Sequence, residues 1–118
     1  MATIIRVGGV PVSDYEATKI TSLSHETGTY NYTLTAPSDG TYIMMVGFSA
    51  YASSGSITLG EGVTKIMGYS WNSKYGSNGG SIVIAKMTAG QTAKLSVYGQ
   101  NRDDGNTVVC YEVWKLSD

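Results

Sequence analysis

An all-β sandwich or barrel is the fold class this sequence predicts, and three observations predict it. From Gly28 onward, apolar and polar residues alternate with period two over most of the chain. Turn formers rich in Gly, Asn, Asp and Pro interrupt those runs at roughly the 8–12 residue spacing of short antiparallel strands. Charged residues make up 14% of the 118, well below the ~25% of an average globular chain, while Gly accounts for 15 and Tyr for 9. Such a surface is made polar by hydroxyls and amides rather than by charges. The pattern gives eight or nine strands.

Residues 1–15 read as an N-terminal arm or edge strand, and residues 16–118 as one domain. Ile4, Ile5 and Val7 form a short apolar run ahead of Gly8-Gly9. Pro11 lacks a ladder donor and favours extended geometry in the residue before it. Residues 16–24 are ambiguous: Asp14 is a possible N-cap for a helix starting at Glu16, but the Thr and Ile that follow favour a strand. Thr29 to Thr35 is a half-buried strand, with Tyr30, Tyr32 and Leu34 on its inner side. Pro37-Ser38-Asp39-Gly40 is a turn. Thr41 to Tyr51 reads as one long central strand. Tyr42, Met44, Val46, Phe48 and Ala50 share one face, and Ile43, Met45, Gly47, Ser49 and Tyr51 the other, so its first half is apolar on both sides.

A short strand at Ser56–Leu59, a turn at Gly60-Glu61-Gly62 and a strand at Val63–Trp71 follow. Residues 72–80 read as a loop of turn formers. Gly79 to Gly99 reads as two antiparallel strands forming a hairpin about Ala89-Gly90-Gln91, with Ala93, Leu95 and Val97 on one side of the second arm. Asn101 to Asn106 is a further turn, and Thr107–Leu116 the last strand.

Length and composition exclude several classes of function. The chain is long enough for one core, not two. A net charge of −1 gives no electrostatic case for nucleic acid or an anionic membrane. The longest uninterrupted apolar run, Tyr42 to Val46, is too short for a membrane-spanning helix, and residues 1–20 lack the apolar core of a signal peptide. With Cys110 as the single cysteine, the fold stands on packing or on oligomerisation.

Three segments resemble the complement globular head and tumour-necrosis-factor-like jelly-roll family. Ala36-Pro37-Ser38-Asp39-Gly40-Thr41-Tyr42 is similar to its apolar-Pro-x-x-Gly-x-Tyr entry. Gly79-Gly80-Ser81, leading through Met87 to Ala89-Gly90-Gln91, is similar to its paired-Gly strand and the turn after it. Val108 to Leu116 stands where its closing strand stands. The resemblance covers about residues 28–116. It implies a jelly-roll sandwich of two antiparallel sheets, eight to ten strands in all, that assembles as a homotrimer with an aromatic-rich inner sheet near the threefold axis. Phage and bacterial members are similar to fibre tips and spore-surface knobs, which implies a virion or extracellular location. The chain departs from the family in its short length, in having no collagen-like or coiled-coil stalk before residue 1, and in its last strand. There Val109, Tyr111 and Val113 alternate with Cys110, Glu112 and Trp114 in place of a Phe-x-Gly-Phe pattern.

Few residues point to chemistry. His25 is the sole histidine, and adjacency in Ser24-His25-Glu26 does not build a triad. Cys110 reads as a small buried apolar side chain. Asn101 to Asn106 has a calcium-like composition, but Gly105 falls where an EF-hand loop needs a ligand, and strands flank it; a hairpin turn is the stronger reading. Asn31-Tyr32-Thr33 matches a glycosylation acceptor in mid-strand. No metal and no cofactor is expected. Tyr69, Trp71 and Tyr75 cluster about a Gly/Ser/Asn loop and are the candidate ligand-binding residues, since flat rings with amides and hydroxyls suit recognition of a glycan or a protein. The alternative for them is packing, with Trp71 capping the core. Ile43, Met45 and Tyr51 are the candidate oligomer interface, because one central strand cannot bury both of its faces in one core.

The expectation is therefore a non-enzymatic trimeric module of a phage tail fibre or bacterial surface that recognises a host glycan or protein. A purely architectural role without a ligand is the alternative. A glycoside hydrolase is remote, since it needs two suitably spaced carboxylates.

Overall fold

The computed structural model describes residues 2–7, 10–72, 78–100 and 107–116, and the side chains of these except residues 2–7, 10–16 and 51–52. Nine strands form among them: β1 (Ala2–Val7), β2 (Val10–His25), β3 (Gly28–Thr35), β4 (Gly40–Ser49), β5 (Tyr51–Leu59), β6 (Thr64–Asn72), β7 (Asn78–Met87), β8 (Thr92–Gln100) and β9 (Val108–Leu116). They make a six-stranded sheet, β1-β2-β9-β4-β7-β6, and a three-stranded sheet, β3-β8-β5. Every pairing is antiparallel. The chain crosses from sheet to sheet at most connections, as a jelly roll does; only β1–β2 and β6–β7 are consecutive partners within a sheet.

Period two in the sequence becomes inside and outside here. Tyr42, Met44, Val46 and Phe48 of β4 point inward with Val83, Ala85 and Met87 of β7 and Val109, Tyr111 and Val113 of β9. Across from them lie Leu34 of β3 and Ala93, Leu95 and Val97 of β8. Tyr42, Met44 and Leu95 are fully buried, and burial of each such side chain contributes about 1.5–3 kcal/mol. Residues 16–24 are strand throughout, within β2.

Three sequence expectations require correction. First, β7 and β8 are not a hairpin: β7 pairs with β4 and β6, and β8 with β3 and β5. Each arm carries its own buried row, and the two rows meet across the core instead of within one sheet. In sequence, a turn that changes sheets and a turn that folds a strand back look alike. The Thr88–Gln91 turn is held from outside itself. Gly90 N donates to Ala36 O (2.9 Å), and Ala36 N donates to Gln91 O (2.8 Å). Asp39 Oδ1 accepts from Ala89 N at 2.8 Å, which joins this turn to Pro37–Gly40.

Second, the strand expected over 41–51 ends at Ser49. The chain bends at buried Ala50 and enters β5, which begins at Tyr51, five residues before the expected Ser56. Tyr51 pairs with Gln100 in the three-stranded sheet. It therefore does not share a face with Ile43 and Met45, and its side chain lies outside the described residues. Third, the expected loop 72–80 is shorter, because Asn72 closes β6 and residues 78–80 pair with 47–49. The N-terminal segment extends the sheet edge by pairing with β2 rather than running across the face of β4.

Candidate functional site

The outward face of the six-stranded sheet is the surface that needs an explanation. Antiparallel register places its residues in rows across the strands, about 4.8 Å apart from strand to strand. One row runs Lys19, Trp114, Ile43, Ile84, Met67. The next runs Ser22, Glu112, Met45, Ile82, Tyr69. A third runs Ser24, Cys110, Gly47, Gly80, Trp71. Ile43, Met45, Ile84 and Trp114 are half-buried by their neighbours, while Met67, Tyr69, Trp71 and Ile82 are exposed. Every residue of β6 is exposed, on both sides of the strand.

Two of the charges on this face meet Trp114, while Lys86, paired with Thr41 across β4, is exposed. The Trp114 indole Nε1 donates to Glu112 Oε1 at 2.7 Å. Lys19 Nζ lies 5.7 Å from the centre of the Trp114 ring, within reach of a cation–π attraction. These contacts order Trp114 at the β9 position between Lys19 and Ile43.

At the other end of the rows the face is notched. Gly47 and Gly80 are cross-strand partners on the adjacent inner strands β4 and β7, so no side chain rises from either. A groove of about 490 Å³ opens there, with Trp71 at one limit and Ser22, Ser24 and Glu112 at the other. A Cβ at Gly80 would stand 2.8 Å from Val46 O and 3.6 Å from the Trp71 indole nitrogen. The Val46 carbonyl thus leaves no room for a side chain at Gly80, while the Trp71 indole lies at ordinary contact distance beside it.

Of the expected ligand-binding residues, Tyr69 and Trp71 are brought together on β6, two positions apart and 63% and 51% exposed. Tyr75 lies outside the described residues. Trp71 does not cap the core. Of the expected interface residues, Ile43 and Met45 lie in adjacent rows of this same face, continuous with Tyr69. Two sites read separately in sequence are therefore one surface. Trp114, Ile82, Ile84 and the Gly47–Gly80 notch belong to it and went unnoticed as site residues. The signal available was Ile82-Val83-Ile84, a β-branched run with no polar alternate, which marks a strand covered on both faces.

Cys110 corrects another expectation: it is half-buried on the outward face, not in the core, and its thiol donates to Gly47 O at 3.5 Å. Burial raises its pKa above the ordinary 9.0, and the nearby Glu112 carboxylate adds to the rise. His25 ends β2, exposed and stacked on Tyr30 with ring centres 4.7 Å apart. Asn31 is on β3, where its Oδ1 accepts from Ser96 Oγ at 2.7 Å. The calcium-like segment 101–106 lies outside the described residues. The strands on either side of it, β8 and β9, belong to different sheets, so it does not close a two-strand hairpin. Among the described residues, no three of His, Cys, Asp and Glu gather as a metal site would require.

Comparison with known protein families, with curated proteins and with solved structures finds no match to this chain.

Proposed function

We propose that this protein is a non-enzymatic jelly-roll module that assembles as a homotrimer through the apolar rows of the outward face of its six-stranded sheet, leaving the Gly47–Gly80 notch at their end open. In this reading it serves on a phage tail fibre or bacterial surface to recognise a host glycan or protein. The observation that carries the assembly is the run of apolar residues across four adjacent strands, from Trp114 through Ile43 and Ile84 to Met67. Solvent-facing sheet surfaces are polar, and large apolar patches mark interfaces. Five strands and three rows, the two apolar ones and the Leu116–Thr41–Lys86 row on the side away from the Gly47–Gly80 notch, cover a flat area on the order of 500 Å². That is more than half of the ~800 Å² each partner gives to a stable interface. Closed rotational symmetry covers such a face on every copy without leaving an open end.

What the described clefts carry speaks against the glycoside-hydrolase alternative. The four described grooves hold at most one carboxylate each: Glu112, Glu26, Asp39 or none. Glycoside hydrolysis needs a pair. The phage or bacterial setting rests on the sequence resemblance.

Sedimentation velocity tests the assembly. Ile84→Lys, at the centre of the apolar row, should shift the protein to a slower, monomeric species. Thr58→Lys, on the outward side of β5, should leave the sedimentation of the parent unchanged. Equal behaviour of the two variants contradicts the proposal.

A further inference from the structure

We infer that the groove at the Gly47–Gly80 end of the outward face is a binding site for a short neutral oligosaccharide, with one pyranose ring laid against Trp71. This rests on the recognition part of the proposed function and gives it a location and a ligand class. Part of the floor is backbone, because Gly47 and Gly80 face each other across β4 and β7, with the Cys110 thiol beside Gly47. A ring can therefore approach the sheet there more closely than over the Ile43–Ile84 row. Trp71 bounds the groove on β6, its indole nitrogen beside Gly80 and its ring half-exposed. A flat, half-exposed ring is an aromatic platform with few rotatable bonds to order on binding.

The opposite limit is polar: Ser22 and Ser24 on β2, with Glu112 on β9. A pyranose has the same division, an apolar face of C–H groups and an edge of hydroxyls. From β2 to β6 the groove crosses four inter-strand spacings, about 19 Å, which gives room for more than one sugar ring. Its volume of about 490 Å³ falls within the range of small-molecule sites. Charge decides between glycan types. Among the described residues that line the groove there is no lysine or arginine, and there is one carboxylate, Glu112. Sialylated and phosphorylated sugars, which need cationic partners, are therefore disfavoured, and neutral hexose chains fit.

The test is a glycan array carrying neutral hexose, N-acetylhexosamine, sialylated and phosphorylated oligosaccharides, probed with the full chain and three variants. Trp71→Ala removes the platform, Gly47→Val fills the floor, and Tyr98→Ala alters the opposite sheet as a control. The sedimentation and far-ultraviolet spectrum of each variant are checked first; Trp71 is exposed enough that its truncation leaves the fold intact. The inference expects binding to neutral glycans, weakened roughly tenfold or more by Trp71→Ala, weakened also by Gly47→Val, and unchanged by Tyr98→Ala. Neutral-glycan binding that Trp71→Ala leaves intact overturns the groove while leaving recognition standing. Binding confined to sialylated or phosphorylated glycans overturns the ligand class. Binding to no glycan overturns the groove, leaving the assembly and protein recognition to be judged by their own measurements.

Discussion

The two sheets present opposite outward faces, although both are built from the same alternation. On the three-stranded sheet the rows read Thr33, Lys94, Thr58, then Asn31, Ser96, Ser56, then Thr29, Tyr98, Ser54. Hydroxyls, amides and one lysine dominate, and Asn31 and Ser96 bond to each other across the strands. On the six-stranded sheet the corresponding rows are built on Trp114, Ile43 and Ile84, then Met45, Ile82 and Tyr69, then the paired glycines and Trp71. The inner faces do not differ in this way; both are apolar and buried. The contrast lies wholly in the positions that a folded monomer has no need to make apolar. One face suits water and the other suits a partner.

The largest effect that sharpens this comparison separates inside from outside on the same strand. Leu95 is fully buried on β8, and its neighbour Lys94 points outward. Leu95→Ala should lower the unfolding free energy by about 2–5 kcal/mol, whereas Lys94→Ala should change it by less than ~0.5 kcal/mol. Urea titration of both variants checks this, and comparable losses would remove the distinction between the two sides.

A smaller effect concerns the turns that carry the chain between sheets. Sequence alone predicts a special backbone or crowding at both Gly40 and Gly90. The structure separates them. Gly90 has φ +90 with open space around it, so its constraint is conformational. Gly40 lies outside the positive-φ region, and an added Cβ would meet the flexible end of Lys115 at 2.8–2.9 Å. Gly90→Ala should therefore cost about 1 kcal/mol or more, and Gly40→Ala less than that, by thermal or urea unfolding. The reverse order would show that crowding, not φ, governs these turns.

The smallest effect is at Cys110. Its folded pKa is raised, so folding favours the neutral thiol. The stabilisation from this group is fully present below the ordinary value of 9.0 and fades as pH climbs from there through the raised folded value. Unfolding titrations from pH 8 to 10.5 should show a decline that Cys110→Ser reduces. A decline of equal size in the variant would place its origin elsewhere.

The layers of the fold were legible in the sequence where strands have one dry face. Ala93, Leu95 and Val97 declare their inner side by alternation, and the structure buries them; Tyr42 to Val46 is apolar on both sides, and of its two rows the structure buries Tyr42, Met44 and Val46. What alternation cannot encode is the sheet to which a strand belongs. Thr88–Gln91 and Ala50 both change sheets, and nothing local distinguishes such a turn from a hairpin or a continuous strand. For that reason the sequence groups Tyr51 with Ile43 and Met45. The candidate site was half legible for a related reason. Tyr69 and Trp71 announce themselves by type, but the notch at Gly47 and Gly80 exists only because β4 and β7 pair in one register. Cross-strand partners 33 positions apart are invisible to a reading of neighbours along the chain.

The most direct measurement of the central claim is the light-scattering mass of the unmodified protein at micromolar concentration. The homotrimer proposed from the sequence resemblance, with like copies covering the apolar rows of the six-stranded sheet, predicts a mass of three 12.5 kDa chains, stable to dilution across that range. A single 12.5 kDa species would mean that the face is left to water or to another kind of molecule, and would contradict the account.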